Sequence, residues 1–293
     1  VYALSGRDGA VLWAYETGND VYFSPALGDL NEDGVLDCVV GSKDKKVCAL
    51  SGKDGAVLWA YETGSRVCSC PVLGDLNGDG GLDCVVGSLD ASVYALSGRD
   101  GAVLWVSATD NLMRSSPALG DLNGDGCLDC VVGSDDKKVY ALSGRDGAVL
   151  WAYETGGEVQ SSPALGDLNG DGCLDCVVGS KDKKVCALSG RDGAILWACE
   201  TGNPVSSSPV LGDLNGDGTL DCVVGSDDNK VCALAGKDGA HLWDYETGES
   251  VWSSPALGDL NGDGCLDCVV RSYDNKVYAL SGRDGAVLWA YET

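Results

Sequence analysis

SSPALGDLNGDGCLDCVVGSDDKKVYALSGRDGAVLWAYETG, residues Ser115 to Gly156, is the stretch that decides the fold. Four short apolar runs are separated by clusters of Gly, Asp, Asn and Lys, which favour turns and interrupt strands. The runs are predicted as strand A (Ser116 to Leu122), strand B (Leu128 to Ser134), strand C (Val139 to Ser143) and strand D (Ala148 to Thr155). An Asn-Gly-Asp-Gly loop joins A to B, Asp135 to Lys138 joins B to C, and Gly144 to Gly147 joins C to D. All three connections suit antiparallel hairpins. No segment shows a helical period.

The same text recurs along the chain. Trp13, Trp59, Trp105, Trp151, Trp197, Trp243 and Trp289 are each 46 residues apart. A four-stranded unit of this length buries both faces only by stacking on its neighbours, which predicts an all-β chain folded as a β-propeller of four-stranded antiparallel blades. One propeller domain is expected over residues 1–293, with a C–D hairpin at 1–17 and full blades near 24–63, 70–109, 116–155, 162–201, 208–247 and 254–293. The preferred count is seven blades with the first incomplete; a six-bladed ring with a spare hairpin is the alternative. The chain starts at Val1 inside a repeat and has a single methionine, Met113, so a fragment or processed product is expected.

Between strands A and B every full unit reads D-x-N-x-D-G-x-x-D. Side-chain oxygens at positions one, three, five and nine, a glycine at six and a backbone carbonyl at seven are the donors that a hard cation takes, and Ca²⁺ is the expected ion, six in all. The six sets are Asp29, Asn31, Asp33, Val35 and Asp37; Asp75, Asn77, Asp79, Gly81 and Asp83; Asp121, Asn123, Asp125, Cys127 and Asp129; Asp167, Asn169, Asp171, Cys173 and Asp175; Asp213, Asn215, Asp217, Thr219 and Asp221; and Asp259, Asn261, Asp263, Cys265 and Asp267. Three carboxylates are expected to crowd each empty loop. Position twelve is Val40 in the first set, where an EF-hand needs glutamate.

The charge balance excludes other functions. Acidic residues outnumber basic ones 45 to 20, a formal charge of −25 that repels nucleic acid and anionic lipid. Each of six divalent ions would add two charges, moving that value from −25 to −13. No apolar run is long enough to span a bilayer as a helix.

The repeated aspartate loop resembles the FG-GAP repeats of integrin alpha-subunit propellers, which implies calcium at Asp29, Asn31, Asp33, Asp37 and their equivalents in an extracellular binding or adhesion module. Ser-Pro-Ala-Leu-Gly stands where the glycine-alanine-proline signature lies in that family. The hairpin Ala141 to Trp151, ALSGRDGAVLW, looks like the tryptophan-docking motif of pyrroloquinoline-quinone-type propellers. The evenly spaced tryptophans are expected to pack blade on blade, and near-identical blades offer no singular quinone pocket.

Fifteen cysteines include three C-x-x-C spacings, among them Cys127/Cys130, but the first member is exchanged for Val, Gly or Thr in other repeats, which argues against metal ligands, and the six in Leu-Asp-Cys-Val-Val are read as small buried hydrophobes. Cys38 with Cys48, and Cys176 with Cys186, would pair only if the hairpin register set them opposite one another. His241 is read as a tolerated substitution, and no catalytic residue is expected. Variation concentrates in the D-to-A loops, predicted to lie on the face opposite the calcium loops; there Tyr22, Arg114, Gln160 and Trp252 are the ligand candidates. The expected function is a non-catalytic extracellular or cell-surface module that binds a protein or glycan or assembles with itself. A quinone-dependent oxidoreductase, or the accessory propeller of an enzyme, is the alternative.

Overall fold

The computed structural model describes residues 1–293 and consists of strands joined by turns, without helices. A hairpin of β1 (Tyr2–Leu4) and β2 (Val11–Ala14) opens the chain. Six four-stranded antiparallel sheets follow. Strands β3–β6 are Ala26–Gly28, Asp37–Gly41, Lys46–Leu50 and Val57–Glu62, and β7–β10 are Val72–Gly74, Asp83–Ser88, Ser92–Ser97 and Val103–Ala108. Strands β11–β14 are Ala118–Gly120, Asp129–Gly133, Lys138–Leu142 and Val149–Glu154. Strands β15–β18 are Ala164–Gly166, Asp175–Ser180, Lys184–Leu188 and Ile195–Glu200. Strands β19–β22 are Val210–Gly212, Asp221–Gly225, Lys230–Leu234 and His241–Glu246, and β23–β26 are Ala256–Gly258, Asp267–Ser272, Lys276–Leu280 and Val287–Glu292. The result is a propeller of seven blades, the first with two strands.

Strand A is shorter than its sequence suggests. In β11 pairing covers only Ala118–Gly120, because Pro117 has no amide to give, Ser116 gives its amide to Ser162 Oγ (3.0 Å) and Leu122 gives its own to Asp129 Oδ2 (3.2 Å). The serine bonds recur from Cys70 to Ser116 and from Ser162 to Ser208, one repeat apart, and stitch the A strands to one another.

Strand alternation assigns each residue to one interface. On one face of the third full blade Val131, Val139, Ala141 and Trp151 pack against Cys176, Val178, Cys186 and Leu188 of the next blade. On its other face Cys130, Val132, Tyr140 and Leu142 pack against Val85, Val93, Ala95 and Trp105 of the previous one. Strand B is buried on both faces, which is why it reads Asp-Cys-Val-Val-Gly with no alternation of polarity. The docking tryptophans complete each interface: Trp151 Nε1 donates to Gly190 O at 2.6 Å, and its ring lies over Gly193.

The two ends of the array are not packed together. Six of the seven repeat tryptophans are 6–9% exposed, whereas Trp289 is 45% exposed, contrary to the expectation of seven packed rings. Its counterpart glycine on the first hairpin, Gly9, has nothing within 4 Å of a Cβ built there. The register does not set the cysteine pairs opposite one another: Cys38 faces Leu50 and Cys48 faces Val40, while Cys176 faces Leu188 and Cys186 faces Val178. All fifteen cysteines are free thiols.

Candidate functional site

The acidic loops lie between strands A and B. Position six is glycine at φ from +82° to +85° in all six copies, a left-handed conformation that favours glycine and makes the sharp bend. In the third full blade Asp121 Oδ1 accepts from the amides of Gly124 (2.7 Å) and Asp125 (3.2 Å), and Oδ2 accepts from Gly126 (2.9 Å). Asn123 Oδ1 accepts from Asp125, and Asp125 Oδ1 from Cys127, each at 2.8 Å. These carboxylates fold onto their own loop, and no three acids converge on a shared point. Three carboxylates do not crowd together as expected, because amide bonds hold the first and fifth and burial takes the ninth.

That ninth residue joins two turns. Asp129 is 1% exposed, and its oxygens accept from Leu122 N at 3.2 Å and Gly144 N at 3.3 Å, tying the A-to-B loop to the C-to-D turn. Burial raises the Asp129, Asp175 and Asp221 carboxyls above their ordinary value and brings Asp83 to about 6. The donor chemistry fits Ca²⁺: the acceptor atoms of the side chains at positions one, three, five and nine are hard oxygens, and apart from Asp121 Oδ1, which accepts two amides, those that accept one amide keep a second lone pair. Cations stand beside some loops, with Lys53 Nζ 3.0 Å from Asp33 and Arg145 3.9 Å from Asp125.

The opposite face has a constant backbone and individual side chains. In every full blade the first residue of the B-to-C turn donates its amide to a D-to-A loop carbonyl, as Lys43 to Asp20, Leu89 to Arg66, Asp135 to Leu112, Lys181 to Glu158, Asp227 to Pro204 and Tyr273 to Ser250. This confirms that the two sets of connections share a face. The frame brings Tyr22, Arg114, Gln160 and Trp252, from four different repeats, to one cavity of about 570 Å³, the central mouth. Lys43, Arg66 and Leu89 also line it. The B-to-C residues escaped the sequence reading, although the first residue of that turn differs between repeats (Lys43, Leu89, Asp135, Lys181, Asp227 and Tyr273).

Pairs across the two positions shape the rim. Asp135, 8% exposed, accepts from Arg114 Nε at 2.9 Å and Gln160 Nε2 at 3.2 Å. Lys43 Nζ lies 3.7 Å from the centre of the Tyr22 ring, and Trp252 meets Tyr273 edge to face at 4.9 Å. His241 is half exposed beside Asp244 (3.1 Å), away from this cavity.

Comparison with known proteins places this geometry. No curated protein sequence matches the chain. Among solved structures, BamB from Moraxella catarrhalis is similar with a TM-score of 0.72 and 20% identity, over 97% of this chain and 78% of that one. The V. cholerae biofilm matrix protein Bap1 is similar with a TM-score of 0.75 and 15% identity, over 99% and 73%. The computationally designed Ika8 protein is similar with a TM-score of 0.67 and 15% identity, over 96% and 89%. At these identities the likeness concerns the fold. A family model described as outer membrane protein assembly factor BamB matches residues 1–75, 89–245 and 200–293. Matched over most of its length, and with the docking-tryptophan hairpin in every blade, the chain belongs to that family.

Proposed function

We propose that this protein is a non-catalytic binding module that recognises a protein partner at its central mouth. The observation that carries this reading is the convergence of Tyr22, Arg114, Gln160 and Trp252 on one cavity. Exposed aromatic and Arg side chains on a rigid frame are the groups that anchor protein interfaces. The family description, an assembly factor, agrees with such a role. The six A-to-B loops are proposed to hold Ca²⁺ through Asp, Asn, Asp, a carbonyl and the buried Asp, as the FG-GAP resemblance implies. The ion would supply fixed positive charge to an acidic face. Sites of extracellular affinity need millimolar Ca²⁺, so the working location is the cell surface or outside.

The test is selection from a displayed library of random peptides against the whole chain in millimolar Ca²⁺. Peptides that bind the native protein and are lost on the double variant Arg114→Ala, Trp252→Ala, at unchanged melting temperature, support the mouth. Binding that survives both substitutions, or no binder at all, ends this reading. Titration with pyrroloquinoline quinone separates the alternative; a shifted absorbance band with tight binding would favour the oxidoreductase.

A further inference from the structure

The mouth is less acidic than the chain as a whole. Acids outnumber bases 45 to 20 overall, whereas Lys43, Arg66 and Arg114 line the cavity and the acids beside it, Asp20, Asp135, Glu158 and Asp227, are bonded to Lys43, Arg114, Gln160 and Ser206. Lys43 lies 3.6 Å from Asp20 and Arg114 is held by Asp135, but Arg66 is exposed and enters no ion pair.

Beside the mouth, sharing Trp252 with it, is a pocket of about 220 Å³ lined by Trp252, Ser253, Arg271, Ser272 and Tyr273. One constant position of the repeat and two variable ones meet here. Arg271 stands where the five preceding full blades carry glycine (Gly41, Gly87, Gly133, Gly179 and Gly225). Trp252 replaces Tyr, Cys, Arg, Gln or Ser, and Tyr273 replaces Lys, Leu or Asp. Trp252 and Tyr273 are 51% and 50% exposed, and the Arg271 side chain is exposed without an acidic partner. The frame sets the B-to-C and D-to-A positions against each other in every blade, and beside Arg271 no following loop stands where Val251 excludes a side chain at Gly225.

An unpaired guanidinium offers a planar fork of donors that matches a carboxylate. Around a concave mouth, cations also focus their field on a bound anion. An aromatic corner beside such an arginine is the composition of an interface anchor. We infer that the mouth takes an acidic peptide segment of the partner, with carboxylates at Arg66 and Arg271 and an apolar side chain in the corner of Trp252 and Tyr273. The inference rests on the binding-module reading above and names the chemistry of its partner. The net acidity of the remaining surface disfavours such a segment elsewhere.

Fluorescence anisotropy of the whole chain in millimolar Ca²⁺ tests this with a fluorescein-labelled peptide alternating Glu and Leu, and with its Gln and Lys counterparts. The Glu peptide is expected to bind at least about tenfold more tightly than the Gln peptide. Arg66→Gln and Arg271→Gln should each weaken it up to about fivefold, as for exposed charge pairs. Trp252→Ala should weaken it about thirtyfold. Melting temperatures should not change. Equal binding of Glu and Gln peptides at a Trp252-dependent site overturns the acidic preference and leaves the binding module standing. Preference for the Lys peptide, no binding of the Glu peptide, or indifference to both arginine variants also overturns it. Trp252-dependent binding of oligogalacturonate without binding of the peptide overturns it in favour of a glycan.

Discussion

Gly239 and Gly9 hold the same place in the repeat and the same φ of +72°, but only Gly239 has a neighbour: a Cβ there meets the Trp197 ring at 2.8 Å. Alanine at either position pays the left-handed conformation, about 1 kcal/mol. At Gly239 it must also displace the ring whose Nε1 donates to Gly236 O at 2.6 Å, adding about 1–3 kcal/mol of overpacking. Chemical denaturation should therefore find Gly239→Ala markedly less stable than Gly9→Ala; equal losses would mean that the ring does not dock.

At the same scale, burial sets the behaviour of Asp83. Its carboxyl is raised from 3.8 to about 6, so the folded chain takes up this proton before the unfolded chain does. The contribution to stability is fully present below about 3.8 and is lost as pH rises through about 6. In chelator, the melting temperature of the native protein should fall between those pH values relative to that of Asp83→Asn. Parallel pH profiles would show that the carboxyl is not buried as described.

Among elements, strand B was legible because a strand buried on both faces has no polar position to disguise it. Strand A was overestimated, since its serine and leucine amides are spent on the next blade and on the buried aspartate rather than on strand pairing. The strand B glycines have a clear geometric reason: a Cβ at Gly225 collides with the Val251 side chain of the loop entering the next blade. Gly225→Ala should cost about 1–3 kcal/mol. Arg271, at the same place in the last blade, is exposed, so Arg271→Gly should change stability by no more than about 0.5 kcal/mol. Thermal melts of the two variants decide the contrast.

For the whole molecule, the loop carboxylates make Ca²⁺ and stability inseparable under the proposed function. Calorimetry should find six ions per chain, and Ca²⁺ should raise the melting temperature while chelator lowers it. A melting temperature indifferent to both retires the calcium proposal. The seam between the last blade and the first hairpin has its own signature: acrylamide should quench Trp252 and Trp289, 51% and 45% exposed, and spare the six docked rings.

The sequence by itself determined the strand order, the repeat, the blade-on-blade packing and the individuality of one set of loops, because each is written in local period and in the identity of turn residues. It also held the family likeness, carried by the docking hairpin. Only the tertiary structure decided which variable residues share a cavity, since Tyr22 and Trp252 lie at opposite ends of the chain and meet through the curvature of the array. Tertiary structure likewise decided that Cys38 and Cys48 do not face each other, that Trp289 is left uncovered and that Asp129 is drawn into the interior. Register, burial and curvature are sums over many blades, and no single repeat contains them.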